Sequence, residues 1–258
     1  MKNKKNSKIG ILVMLLIFFM SNFRAVSQTE KKDETRAEPN VITPGIGTTA
    51  PSDAIVLFDG TSFSQWDDGK GGDAKWKLEN GAMIVVKGAG DIYTKQSFGD
   101  CQLHIEWRSP ETVVGEGQTR GNSGVIFQKR YELQVLDSYN NPTYFNGQAG
   151  SIYNQSPPLV NACRKPGEWQ SYDVVFMAPR YNSNSTLEIP PRITVFQNGV
   201  LVQNNFVIKG VTMPRVTFDA YLKVRSSYRI TVTMETRLVT GIFGYVNFKQ
   251  PERSDLYY

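Results

Sequence analysis

Two carboxylates five residues apart, Glu132 and Asp137, stand in the run Tyr131-Glu132-Leu133-Gln134-Val135-Leu136-Asp137-Ser138. Carboxyl groups so placed are candidates for the acid and base of a bond-breaking reaction. The Arg108 guanidinium is a candidate clamp for an oxygen that carries or gathers negative charge. His104 is the sole histidine; it is either a base, a metal ligand, or a structural hydrogen-bonder on its strand. Glu106 either binds substrate or pairs with Arg108 or a neighbouring strand. Asn122, Gln128, Gln134 and Tyr153 present amide and phenol groups that suit a ligand rich in hydroxyls. Trp169 is expected in the core.

Most of these residues lie on segments with a period of two. Leu103, Ile105 and Trp107 alternate with His104, Glu106 and Arg108, and Leu133 and Val135 alternate with Glu132 and Gln134. Val125 and Phe127 oppose Asn122, Gly124 and Gln128, while Tyr172, Val174 and Phe176 define another strand, as do Ile193 and Val195. Such alternation predicts strands with one buried and one polar face. Asn198-Gly199 and Asn80-Gly81 are two-residue hairpin signals. No amphipathic helix of three turns is evident, so the expected fold is all-β, an antiparallel sandwich or jelly roll. If the strands are neighbours, their polar residues line one concave surface, as in β-sandwich lectins and glycanases. The alternative is an ordinary solvated outer face.

The charge balance narrows the partners. The chain carries 29 Lys and Arg against 24 Asp and Glu, but five of the basic residues and no acid fall within the first 27 positions. The remainder is neutral, which removes the support for a nucleic-acid partner. Met1 to Ser27 reads as a secretory signal peptide: Lys2, Lys4, Lys5 and Lys8, then the apolar run Ile9 to Met20, then Ala25-Val26-Ser27 before cleavage. Export to a periplasm or the cell exterior is expected, with no membrane segment after cleavage; an uncleaved membrane anchor is the alternative. Gln28 to Asp53 is polar and rich in Pro and Gly, as in a flexible linker. Cys101 and Cys163 would enter an oxidising compartment, and the sequence leaves open whether they pair.

From Ala54 an ordered set of motifs appears: Val56-Leu57-Phe58-Asp59-Gly60 with Trp66, Trp76-Lys77-Leu78-Glu79-Asn80-Gly81, and Phe98-Gly99-Asp100-Cys101-Gln102-Leu103-His104-Ile105-Glu106-Trp107-Arg108. Gly121-Asn122-Ser123-Gly124-Val125-Ile126-Phe127, the Tyr131 to Ser138 run and Pro166-Gly167-Glu168-Trp169-Gln170 follow. Together they resemble the 3-keto-disaccharide hydrolase family, from about Ala54 to about Gly210. The resemblance implies a concanavalin A-like jelly roll that cleaves 3-keto-glycosides, with a 3-keto-glucoside as carbohydrate partner. A ketone at C3 acidifies the C2 proton, so elimination at C1 needs a base, donors for the enolate oxygen, and an acid for the leaving oxygen; a divalent metal is a possible cofactor. Glu132 and Asp137 would then be the carboxylates and Arg108 the clamp. An oxocarbenium route with paired carboxylates competes, as does a non-catalytic sugar-binding module on the same fold or a surface-associated structural protein.

The end of the chain departs from the family. Codons that encode Lys223 to Phe248 can, in another frame, spell Gly-Pro-Leu-Lys-Leu-Gln-Asp-His-Gly, a family-like ending with a second histidine. A one-nucleotide shift near Lys223 is therefore expected, with an out-of-frame tail over 223–258 that replaces the closing strands. Ile230-Thr231-Val232-Thr233-Met234 is β-prone and could substitute in part; the terminus after about Val224 is otherwise expected to be poorly ordered, and the chain inactive if the absent histidine is required.

Overall fold

The structure, a computed structural model, describes residues 39–46, 49–212, 230–234 and 239–240, the last two stretches as backbone. The chain divides into a unit through Val41 and a body that begins at Ile42, and the fold is that of the body. One sheet runs, in spatial order, β1 (Trp66–Asp67), β4 (Ile92–Thr94), β13 (Ile230–Met234), β6 (Ser123–Phe127) and β7 (Tyr131–Val135). A second runs β12 (Val200–Val207), β11 (Arg192–Gln197), β8 (Gln170–Met177) and β5 (Cys101–Trp107). β14 (Val239–Thr240), β3 (Ala82–Ile84) and β2 (Lys77–Glu79) form a small third sheet, and β10 (Leu187–Ile189) pairs with β9 (Arg180–Tyr181). Every described strand pairing is antiparallel. The described helical turns are two short 3₁₀ segments, Gly117–Thr119 and Phe145–Gly147. The fold is an antiparallel β-sandwich of the jelly-roll type, as the period-two pattern requires.

Alternation along each strand decides what lies between the two main sheets. Leu103, Ile105 and Trp107 of β5, Tyr172, Val174 and Phe176 of β8, and Ile193 and Val195 of β11 are buried on one side. Val125 and Phe127 of β6 and Tyr131, Leu133 and Val135 of β7 are buried on the other. The Phe127 and Phe176 rings stack across the interior with centroids 4.7 Å apart, and Tyr131 meets Phe176 at 6.0 Å. Such contacts add about 0.5–1.5 kcal/mol beyond the area they bury. The Asn198-Gly199 turn, with φ of +53° and +79°, joins β11 to β12 as expected of a type I′ hairpin.

Residues 230–234 pair as their β-prone sequence allowed: β13 pairs with β4 on one side and β6 on the other, and Val239–Thr240 pairs with β3. A run of β-branched residues that can complete two open ladders gains backbone partners on both sides. The remainder of the tail, the proposed leader and most of the linker lie outside the described residues. At the end of the expected linker, Thr43 and Ser52 exchange hydrogen bonds that close a loop. Trp169 is half-buried instead of in the core: it lies just before β8, with the Arg108 guanidinium over its ring. Cys101 and Cys163 are both free, with Cys163 Sγ 3.8 Å from the Leu136 carbonyl.

Candidate active site

Glu132 and Gln134 alternate with the inward-facing Leu133, so both stand on the face of the β6–β7 sheet that looks away from the core. Their backbone is fixed on the side away from β6. The Tyr153 amide donates to the Glu132 carbonyl at 3.1 Å, the Glu132 amide donates to Thr212 Oγ1 at 2.8 Å, and the Gln134 amide donates to the Ser151 carbonyl at 2.9 Å. Ile152 bridges Leu133 in antiparallel register. The 151–153 segment therefore acts as a short extra strand, and Tyr153 becomes the cross-strand neighbour of Glu132 on the outer face. On the other side Ile126 is opposite Glu132 and Gly124 is opposite Gln134. A Cβ on Gly124 would sit 2.5 Å from Glu132 Oε1, so the carboxylate lies across the bare backbone of Gly124. Only a glycine leaves that space. Across the next ladder the same row reaches the register positions of Thr231 and Tyr93.

Amides and phenols surround this carboxylate. Gln118, on the Gly117–Thr119 turn, donates from Nε2 to the Gly147 carbonyl at 2.9 Å and to Thr143 Oγ1 at 3.1 Å. Asn122 donates to the Gln118 carbonyl at 2.8 Å. The Gln134 amide is best assigned with its nitrogen toward Glu132 Oε1 at 3.1 Å and the Ser123 carbonyl at 3.0 Å, since a carboxylate and a carbonyl both need a donor. The hydroxyls of Tyr144 and Tyr153 are 2.6 Å apart. Burial first, then the Tyr153 hydroxyl and charge and the charge of Glu132, hold the Tyr144 phenol well above the ordinary tyrosine range. Phe145, 80% exposed, stands beside Tyr144. The result is one largely buried carboxylate with planar hydrogen-bonding groups and an aromatic rim, suited to holding a ring with hydroxyls and moving a proton from it.

The expected single polar surface is not formed. His104, Glu106 and Arg108 project from the outer face of β5, which belongs to the opposite sheet, with the whole core between them and Glu132. Strands β5 and β7 are not neighbours, and alternation about two separate inward faces sends their polar residues in opposite directions. On its own face, His104 Nδ1 is 2.6 Å from Asp173 Oδ1, its direct partner on β8, and Nε2 is 3.9 Å from Glu106 Oε1. Burial opposes the charged imidazole, but the bond and charge of Asp173 and the charge of Glu106 prevail and raise its pKa above 6.5. The Arg108 guanidinium stacks over Trp169 at 4.9 Å.

Asp137 is buried beyond the end of β7 and is already engaged. Arg120 Nε donates to its Oδ2 at 2.7 Å, the Tyr139 amide reaches Oδ1 at 3.3 Å, and Arg120 also donates to the Tyr139 carbonyl at 2.9 Å. Asn141 ties the same region to Gly117 and to the Asp137 carbonyl. Asp137 thus anchors the turn that carries Gln118, beside a cavity of about 830 Å³ lined by Ser109, Glu111, Arg120 and Lys87. Gln128 is in the β6–β7 turn at φ +55°, with a buried Nε2 that has no partner among the described residues. Among the described residues no three His, Cys, Asp or Glu side chains gather as a metal cage. Sequence reasoning missed Tyr144 and Gln118, because both lie in irregular segments where no period exposes a face.

Residues 53–231 match the family described as the 3-keto-alpha-glucoside-1,2-lyase-like domain. The chain belongs to this family. It is also similar, at 45% identity and a TM-score of 0.76 over 82% of this chain and 92% of the other, to a Parabacteroides distasonis protein provisionally assigned to the glycosyl hydrolases. A second protein from that organism, with the same provisional assignment, shares 19% identity and a TM-score of 0.52 over 74% and 91% of the two chains, which speaks for the fold alone. No curated protein matches. A hydrolase- or lyase-like enzyme acting on carbohydrate is therefore the class of this family member.

Proposed function

We propose that this chain cleaves 3-keto-glycosides by elimination, with Glu132 as the base that removes the C2 proton. The observation that carries the reading is the Glu132 carboxylate itself, 8% exposed, on a bare glycine floor, among amides and phenols in a member of this family. A ketone at C3 lets the electron pair left at C2 spread onto its oxygen, where the Asn122 side-chain amide, with one hydrogen on the Gln118 carbonyl, can donate the other. Collapse of the enolate expels the oxygen at C1, and addition of water afterwards would give net hydrolysis. His104 and Arg108 take no part, since they occupy the opposite face, and with a single histidine in the chain no imidazole is available near Glu132. This differs from a paired-carboxylate glycosidase, because Asp137 is committed to Arg120.

The same reading includes export after cleavage near Ser27 and a frame change near Lys223. The family match ends at residue 231, shortly beyond that point, and β13 fills its slot with threonines at the register positions facing Ile126 and Gly124. Sequencing the gene tests the frame change, and an intact frame encoding this tail would end it. For the enzyme, 4-nitrophenyl 3-keto-α-glucoside is offered to the full chain and to a form carrying the alternative-frame tail. Release of nitrophenol is expected; release by neither, with sugar binding retained, favours the binding-module reading, for which the dispersal of His104, Arg108 and Asp137 away from Glu132 is the supporting observation.

A further inference from the structure

Elimination needs an acid as well as a base, and Glu132 fills only one of these roles. The segment after β7 offers the other. The Phe145–Gly147 turn is closed by the Gly147 amide on the Tyr144 carbonyl at 3.1 Å, and Asn154 donates to the Asn146 carbonyl at 3.0 Å. Ser151 Oγ donates to the Phe145 carbonyl at 3.2 Å. A Cβ on Gly147 would fall 2.2 Å from the Tyr144 ring, so this glycine lets the ring lie flat on the turn. These constraints bring two tyrosines nine residues apart into contact, with hydroxyls at 2.6 Å and rings tilted by 60°. Tyr153 is the cross-strand neighbour of Glu132, and Tyr144 is 44% exposed at the rim.

We propose that Tyr144 is the acid of the reaction, giving its hydroxyl proton to the glycosidic oxygen while the Tyr153 hydroxyl donates to the phenolate left behind. The inference rests on the reading of Glu132 as base. In the step, Glu132 takes the C2 proton, the C2–H electron pair forms the C1–C2 double bond through the enolate, and the C1–O pair leaves with oxygen. That oxygen takes the Tyr144 proton. The products are an unsaturated 3-keto sugar and a free alcohol, and a proton passed from Glu132 to Tyr144 resets the site. The charges of the two groups are coupled. Burial and the Tyr153 hydroxyl keep Tyr144 protonated at rest, and ionised Glu132 adds a smaller opposition to phenolate formation. Once Glu132 has accepted the C2 proton that opposition vanishes, and Tyr144 becomes a stronger acid when the leaving oxygen needs it. The hydroxyls are 2.6 Å apart and either can be the donor, so Tyr153 can turn its proton toward Tyr144 once that hydroxyl has given up its own.

The test compares methyl and 4-nitrophenyl 3-keto-α-glucosides, whose leaving groups differ in their need for a proton. It uses the full chain, or the form with the alternative-frame tail if only that form turns over. Tyr144→Phe is expected to lower kcat/KM for the methyl glycoside by about 10²–10⁴-fold, with a much smaller loss for the nitrophenyl glycoside. Exchange of the C2 hydrogen with deuterated water is expected to persist. Tyr153→Phe should show the same bias with a smaller loss, and it serves as the readout if the first variant does not fold. Equal losses on both substrates, or none on either, overturn the acid assignment while leaving the base untouched. Retained C2 exchange in Glu132→Gln overturns the base reading instead.

Discussion

The properties of single side chains set the chemistry. Gly124→Ala would place a methyl 2.5 Å from Glu132 Oε1, so the carboxylate must swing away from its present position. Its kcat/KM is expected to fall by about 10²-fold or more, as misplacement of a catalytic group does, while the far-ultraviolet circular dichroism stays unchanged. His104 makes a separate prediction on the opposite face. Its pKa is raised in the folded state, so the stabilisation from Asp173 and Glu106 is fully present below the unfolded value near 6.5 and is lost as pH climbs through the folded value. The melting temperature should therefore fall across that window more steeply for the parent than for His104→Asn, and parallel curves would refute the assignment. Asp137→Ala leaves the part-buried Arg120 without its carboxylate, holding only the Tyr139 carbonyl. Chemical denaturation is expected to show a loss of about 3–5 kcal/mol, with weaker activity because the Gln118 turn loosens.

At the level of elements, the pattern of alternation was enough to place β5, β6, β7, β8 and β11 and to say which side of each is buried. It was not enough to say which strands are neighbours. Period two reports the face of a residue within its own sheet, and pairing order depends on contacts far apart in sequence. His104 and Glu132 therefore looked alike in the sequence, although one sheet carries the first and the facing sheet the second. Tyr144 and Gln118 were invisible for a different reason: turns position them through backbone and side-chain bonds that leave no periodic trace. The slot of β13 follows the same logic, since β4 and β6 each present an open ladder that a β-branched segment can complete. Val232→Pro removes one amide from this central position and should cost at least about 1–3 kcal/mol for the partner left unsatisfied. An unchanged denaturation midpoint would mean that 230–234 does not occupy the slot.

At the scale of the folded body, the described residues form a sandwich whose two outer faces differ: one carries a carboxylate among amides and phenols, the other an imidazole clasped by acids. It holds together without a covalent link between Cys101 and Cys163. Burial pushes the Cys101 thiol up to about 12 and the Cys163 thiol up to about 11. A reducing agent is accordingly expected to leave the melting temperature unchanged, and both thiols should react slowly with an aromatic disulfide until the protein unfolds. The central claim is that Glu132 takes a proton from carbon beside a ketone, and it is tested most directly by deuterium at C2 of a 3-keto-α-glucoside. The account predicts a primary isotope effect on kcat/KM, together with loss of solvent exchange at C2 in Glu132→Gln. Cleavage at the same rate for both isotopologues, with exchange undiminished in that variant, would contradict it.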